Sequence, residues 1–261
     1  MNNLQELIKC WENSPFPSTK ISTYFSAYAE LFAEYRNTEC VFIETGILGG
    51  GSLFMWRNWF GPKARIIGID LNPEALKWTS YGFEIYIGDQ GDRQFWKEIL
   101  NKVGKFDILL DDGGHQSFQQ IVTAQEAINH SKTKSIVVIE DTHSSFMHDF
   151  KSHNQNTFLN YSKDSTDILT AKSADMYKNR MPLIKNDSVM DLFNFVYSIQ
   201  FFTSIVAFKI DPSKTFTPQV IWNKREQTPS DFRYQGLNKA DILWPDPFNA
   251  PTTITVNGGH S

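Results

Sequence analysis

Apolar residues recur at helical spacing from the start of the chain. Leu4, Leu7, Ile8 and Trp11 fall on one helical face. Pro15 and Pro17 break that pattern. Tyr24, Phe25, Tyr28, Leu31, Phe32 and Tyr35 resume it as a second amphipathic helix, so residues 1–36 read as N-terminal helices. From residue 40 the pattern changes to short, continuous apolar runs, the mark of strands buried on both faces. Such runs occupy 40–44, 65–70, 83–87, 106–110 and 135–139. Helical patterns separate them at 52–60, 92–102 and 116–130, and Pro73 stands where it can begin another helix. Regular strand–helix alternation of this kind predicts an α/β fold, a parallel sheet with helices on both faces. Two further apolar segments, 196–200 and 204–210, read as closely linked strands and bring the sheet to seven.

The intervening stretch 142–190 is polar and reads as an irregular insertion, a lid over the active edge, because long loops in compact domains are commonly functional. The tail 212–261 is rich in proline and reads as irregular. The division expected is therefore one domain over 1–261, with helices at 1–36, a catalytic core at 37–211 and the tail behind it.

Composition narrows the class. A net charge of −4 over 261 residues does not suit a protein that tracks a nucleic-acid backbone. The most apolar stretch, 193–210, is interrupted by Asn194, Ser198, Gln200, Thr203 and Ser204, and no signal-peptide core opens the chain, so the expected setting is cytoplasmic, away from membranes. Cys10 and Cys40 stand in no metal or redox spacing and read as buried, reduced thiols. Aromatic residues make up 14% of the chain, enough to supply a ligand cleft or a homo-oligomer interface as well as a core.

Ligands of parallel sheets bind beyond the carboxyl ends of the strands. Here Glu44, Asp70, Asp89, Asp111, Asp112, Glu140 and Asp141 all fall at or just after such ends. After the first strand comes E-T-G-I-L-G-G-G-S, from Glu44 to Ser52. Glycines such as Gly46 and Gly50 let backbone approach a ligand, and the following helix offers free N–H groups. The dinucleotide pattern G-x-G-x-x-G fails, because Leu48 stands where its second glycine is needed; this disfavours a nicotinamide oxidoreductase. Asp70 occupies the place where nucleoside-binding α/β folds hold ribose hydroxyls. Asp89, followed by Gln90, is placed to accept from an adenine amino group, and Glu44 to bind an amino-acid moiety. Together they describe a site for an adenosine that carries a charged amino acid.

The second cluster is D-D-G-G-H, from Asp111 to His115, facing E-D from the next strand. Three carboxylates, Asp112, Glu140 and Asp141, repel one another unless a cation sits among them. Their hard oxygens suit Mg²⁺, or Mn²⁺. His115, three residues past Asp112, is placed to take a proton from a hydroxyl held there. Asp111 reads as cofactor-side or supporting, and His143 fits no pattern.

The ordered set E-T-G-I-L-G-G-G-S, I-G-I-D, G-D-Q, D-D-G-G-H and E-D-T resembles the metal-dependent sugar O-methyltransferases of the mycinamicin and tetracenomycin type, over residues 40–145 and more weakly over 196–210. The resemblance implies a Rossmann-like methyltransferase fold, S-adenosylmethionine as cofactor and a small glycosylated acceptor. It implies magnesium on Asp112, Glu140 and Asp141, with His115 as the base. Two other readings stay open: methyl transfer to a phenol or catechol, and a non-methylating adenosine-cofactor protein of the cephalosporin-hydroxylase-like type.

Overall fold

Strand β1 (Val41–Thr45) lies at the centre of a seven-stranded sheet with β2 (Arg65–Asp70) and β3 (Glu84–Ile87) on one side. On the other side run β4 (Ile108–Asp111), β5 (Ser135–Ile139), β7 (Ile205–Ile210) and β6 (Val196–Phe202), giving the order β3-β2-β1-β4-β5-β7-β6. The first five strands are parallel; β7 runs antiparallel to both β5 and β6. The computed structural model describes residues 2–131, 134–150, 156–171, 193–216 and 221, together with the pairs 242–243 and 255–256. Met1–Pro218 form one compact unit and Gln219–Ser261 a second, in which β8 (Ile242–Leu243) and β9 (Thr255–Val256) pair antiparallel. The remainder of the expected irregular tail from 222 onward lies outside the described residues.

Period-two alternation along the strands divides the core into two layers. Phe42, Ile66, Ile108, Leu110 and Val138 face one side, where α1 (Asn3–Glu12), α2 (Tyr24–Leu31) and α3 (Gly51–Phe60) cover them with Leu7, Tyr28, Phe32, Trp56 and Phe60. Ile43, Ile67, Leu109 and Val137 face the other, under α4 (Arg93–Val103), α5 (Ser117–His130) and α6 (Phe158–Ala171). This accounts for the continuous apolar runs. Much of the aromatic surplus is spent in the first layer and not in a cleft: the Trp56 ring lies 5.0 Å from Phe42, 5.2 Å from Tyr28 and 5.5 Å from Phe32.

Local signals set the ends of elements. Asn2 and Gln5 form a reciprocal capping box on α1, and Asp92 caps α4 through the Gln94 N–H. The helix begun by Pro73 is a 3-10 helix, Pro73–Tyr81, capped by Asn72. Helix α6 corrects the reading of 142–190 as irregular. Its Phe158 and Ile168 join the second core layer. Its buried Ser162 and Ser165 hydroxyls donate to the carbonyls of Phe158 and Tyr161, so polar positions are satisfied inside the helix and leave no apolar stripe to read. The expected lid residues 172–190 lie outside the described residues.

Strand register aligns the carboxyl ends: Asp111 pairs with Thr45 on one side and Ile139 on the other. The strand order reverses between β1 and β4, which opens a crevice beyond those ends. One buried residue ties the second core layer to that crevice. Trp96 is fully buried and its Nε1–H donates to the Gln90 carbonyl at 2.8 Å. Trp96→Ala is expected to cost about 3–5 kcal/mol, read as a lower urea midpoint with an unchanged slope.

Candidate active site

The crevice holds a cavity of about 560 Å³, lined by the turns after β1, β2, β3, β4 and β5 and by residues 18–21 from the N-terminal segment. The turn after β1 is shaped by Gly46. Its φ is +80°, and a Cβ there would lie 2.1 Å from the Asp112 carbonyl oxygen. The Gly46 N–H donates to the Ile69 carbonyl. Asp70, at the end of β2, draws the same turn in: its Oδ2 accepts from the Ile47 and Leu48 N–H groups, each at 3.1 Å, and its Oδ1 from Asn72. Asp89 lines the cavity, exposed, with Oδ1 accepting from the Gly91 N–H.

The structure places other expected site residues behind the cavity wall. Glu44 is fully buried and does not line the cavity; it accepts from Ser52 Oγ at 2.7 Å and Trp56 Nε1 at 3.0 Å. Ser52 does line it. Gly50 starts α3 against the Trp78 ring, away from the lining. Asp111 is buried too. Gln90 Nε2 donates to both its oxygens at 2.8 and 2.9 Å, while Gln90 Oε1 accepts from the Gly114 N–H. Burial pushes the Asp111 carboxyl up to about 6, against the hydrogen bonds from Gln90 and the Gly113 N–H. Gln90 thus braces β4 and its turn as well as lining the cavity.

At the other end of the cavity, one donor atom each from Asp112, His115 and Asp141 lie within 4.8 Å of one another. His115 Nε2 is 3.4 Å from Asp141 Oδ2, and the exposed His143 is 3.8 Å from Asp141 Oδ1. His115 and Asp141 both adopt left-handed backbone, with φ of 57° and 52°. Such strain costs roughly 1–3 kcal/mol per residue and persists where surrounding structure enforces it; here Ser144 Oγ holds the His115 carbonyl at 2.9 Å. Two partly exposed carboxylates and an imidazole fit a hard divalent cation by donor chemistry. Glu140, the third acid expected in that set, lines the same cavity but is 1% exposed and stands outside that close group of donor atoms.

The groups that engage it come from the N-terminal segment. Lys20 Nζ lies 2.6 Å from Asp112 Oδ2, 3.2 Å from both Glu140 oxygens and 3.7 Å from Glu44, with its side chain only 2% exposed. Tyr28 donates to Glu140 Oε1, and Tyr24 to Asp141 Oδ1 at 2.5 Å. Burial disfavours the Lys20 ammonium, but Asp112, Glu140 and Glu44 outweigh it and raise its pKa. Burial and the neighbouring acids hold both phenols above the ordinary tyrosine value, so they stay proton donors. The segment is strapped down over the Gly-rich turn. Ser14 Oγ donates to the Gly51 carbonyl, Trp11 Nε1 to Ser18 Oγ, and a Cβ at Gly51 would meet the Phe16 carbonyl oxygen at 2.3 Å. In the sequence Tyr24 and Tyr28 read as apolar helix positions, and nothing local marks Lys20. The available signal was the excess of strand-end acids, which requires buried counter-charge.

No family model matches the chain. It is 31% identical over 157 residues to the mycinamicin VI 2''-O-methyltransferase of Micromonospora griseorubida, covering 52% of this chain and 38% of that one. It is 26% identical over 133 residues to the 8-demethyl-8-alpha-L-rhamnosyl tetracenomycin-C 2'-O-methyltransferase of Streptomyces olivaceus, 48% of this chain and 35% of that one. The matches thus span less than two-fifths of these relatives. Among solved structures, the methyltransferase MycE of the mycinamycin biosynthetic pathway, in complex with Mg and SAH, superposes with a TM-score of 0.67 at 21% identity, covering 87% of this chain and 57% of that one. The fold is therefore the Rossmann-like methyltransferase fold, and the resemblance read from the motifs holds.

The tightness of the β1–β4 approach is testable. Gly82 has φ of +81° with open space within 4 Å of where a Cβ would stand, whereas Gly46 combines the same backbone with a clash. Gly82→Ala should cost roughly 1–2 kcal/mol from backbone strain alone. Gly46→Ala should cost clearly more in the same urea titration.

Proposed function

We propose that the protein is an S-adenosylmethionine-dependent O-methyltransferase that methylates a sugar hydroxyl of a small glycosylated molecule with the help of a divalent cation. The observation that carries this reading is one continuous cavity with two chemically distinct ends. Asp70 and Asp89 offer carboxylate acceptors at the ends of β2 and β3; Asp112, His115 and Asp141 gather beyond β4 and β5. The relatives support the acceptor class, since their names specify hydroxyls on mycinamicin VI and on a rhamnosyl tetracenomycin.

Methyl transfer from a sulfonium is an in-line displacement, so alignment is the main task of the protein. As the acceptor oxygen bonds to the methyl carbon, the sulfur–carbon bond breaks, its electron pair returns to sulfur and the hydroxyl proton must leave. His115 takes that proton at Nε2. Asp141, 3.4 Å away, stabilises the imidazolium that results. Tyr24, itself in the cavity lining, fixes the Asp141 carboxylate by donating to Oδ1. Asp112 and Asp141 would hold the cation, whose contribution is to lower the pKa of a hydroxyl and fix its orientation. Asp70 retains lone pairs for ribose hydroxyls while it shapes the turn, and Gly46 keeps that turn close to the strand ends.

Asp70→Ala should weaken S-adenosylhomocysteine binding more than tenfold in calorimetry, the loss of about 1.5–3 kcal/mol expected for hydrogen bonds to a charged acceptor. Unchanged affinity in a folded variant would remove the ribose assignment. Methyl transfer to glycosylated acceptors should stop in EDTA and return with Mg²⁺; full turnover by metal-free enzyme would reassign the acids to acceptor binding. His115→Ala should lose about 10²–10⁴-fold in rate, with residual activity rising with pH, while Mn²⁺ affinity is retained. A collapse of Mn²⁺ affinity would instead make His115 a ligand.

A further inference from the structure

We infer that Lys20 is a resident cation of the acid cluster: it holds Glu140, together with one oxygen of Asp112, out of the reach of the divalent ion, so that the ion is bound loosely and exchangeably. This inference rests on the cation reading above and deepens it. An ammonium with a 2% exposed side chain is stable only where anions compensate its lost hydration. Lys20 has three, at 2.6, 3.2 and 3.7 Å from Asp112, Glu140 and Glu44. Glu140 lines the cavity but is 1% exposed, and its oxygens are already engaged: both accept from Lys20 Nζ, and Oε1 also accepts from the Tyr28 hydroxyl. It is absent from the group of donor atoms that lie within 4.8 Å of one another, which comprises Asp112, His115 and Asp141.

Two consequences follow from charge alone. A divalent ion on Asp112 shares that carboxylate with the ammonium and is repelled by it. It also finds two carboxylates where the strand ends supply three. Both effects weaken binding, and both disappear if the ammonium is replaced by an apolar group of similar length. Lys20 is therefore a positioning residue, acting through Asp112 and Glu140. It is delivered by a strap that has no counterpart among the strand-end motifs, and the strap is anchored by Ser14 on Gly51 and by the Phe16 ring, 4.7 Å from Trp78 and 5.1 Å from Phe54.

The test is calorimetric titration of the full chain with Mn²⁺, alone and with S-adenosylhomocysteine present, for wild type, Lys20→Met and Glu140→Gln. Thermal unfolding with and without Mn²⁺ runs alongside. Lys20→Met should bind Mn²⁺ at least tenfold more tightly and unfold at a lower temperature than wild type without metal, recovering when Mn²⁺ is added. Binding seen only after Lys20→Met is the extreme form of that result, and so is a variant that folds only with Mn²⁺. Glu140→Gln should leave wild-type Mn²⁺ affinity within about threefold. A tenfold loss there, or equal or weaker affinity in Lys20→Met, overturns the role of Lys20 and leaves the cation reading standing. Should Lys20→Met fail to fold even with Mn²⁺, Glu140→Gln decides alone. If no form binds Mn²⁺ while all bind S-adenosylhomocysteine, both the cation reading and this inference fall.

Discussion

Negative charge crowded along one sheet edge is the constraint that organises this protein. Parallel strands in register bring their carboxyl ends together, and here those ends carry Glu44, Asp111, Asp112, Glu140 and Asp141 at neighbouring register positions of adjacent strands. Each buried carboxylate has its own remedy. Glu44 is neutralised in part by hydrogen bonds from Ser52 and Trp56, Asp111 by the Gln90 amide and the Gly113 N–H, and Glu140 by Lys20 and Tyr28. Only Asp112 and Asp141 keep a partly exposed face toward the cavity. The chemistry of the site is what remains after the others have been satisfied from within.

This division explains why the N-terminal layer is inseparable from the site. Helix α2 and the Phe32 that caps it form one wall of the aromatic core, through Tyr28 and Phe32 against Trp56, and the same helix turns two phenols toward the acids that follow β5. The strap before it crosses the Gly-rich turn so closely that Gly51 has no room for a side chain. Part of the glycine content of that turn therefore serves chain crossing and not ligand approach.

The sheet was legible because burial on both faces leaves short, β-branched apolar runs that alternate with helical patterns: the run at 65–70 is the strand Arg65–Asp70, and 135–139 is Ser135–Ile139. The strand-end acids were legible as a set for the same reason, since they interrupt those runs at one edge. What was not legible depends on partners distant in sequence. Helix α6 hides its buried face behind Ser162 and Ser165, which bond within their own helix. Glu44 and Asp111 look like ligand-facing acids in sequence, and only packing shows them turned inward. Tyr24 and Tyr28 satisfy a helical apolar period while their hydroxyls do polar work, an amphipathic double use that periodicity cannot register.

The length of chain between Lys20 and Glu140, 120 positions, has a bearing on how the protein comes to be folded. A ribosome releases the strap, α1 and α2 long before β5 exists. Until then the lysine has no acids to enter and the two phenols have no acceptors. Closing so long a loop is entropically slow, and contacts of this separation form late. The aromatic packing of Tyr28 and Phe32 on Trp56 joins residues far closer in sequence, so the N-terminal helices can seat on the sheet before Lys20 and the two phenols find their acids.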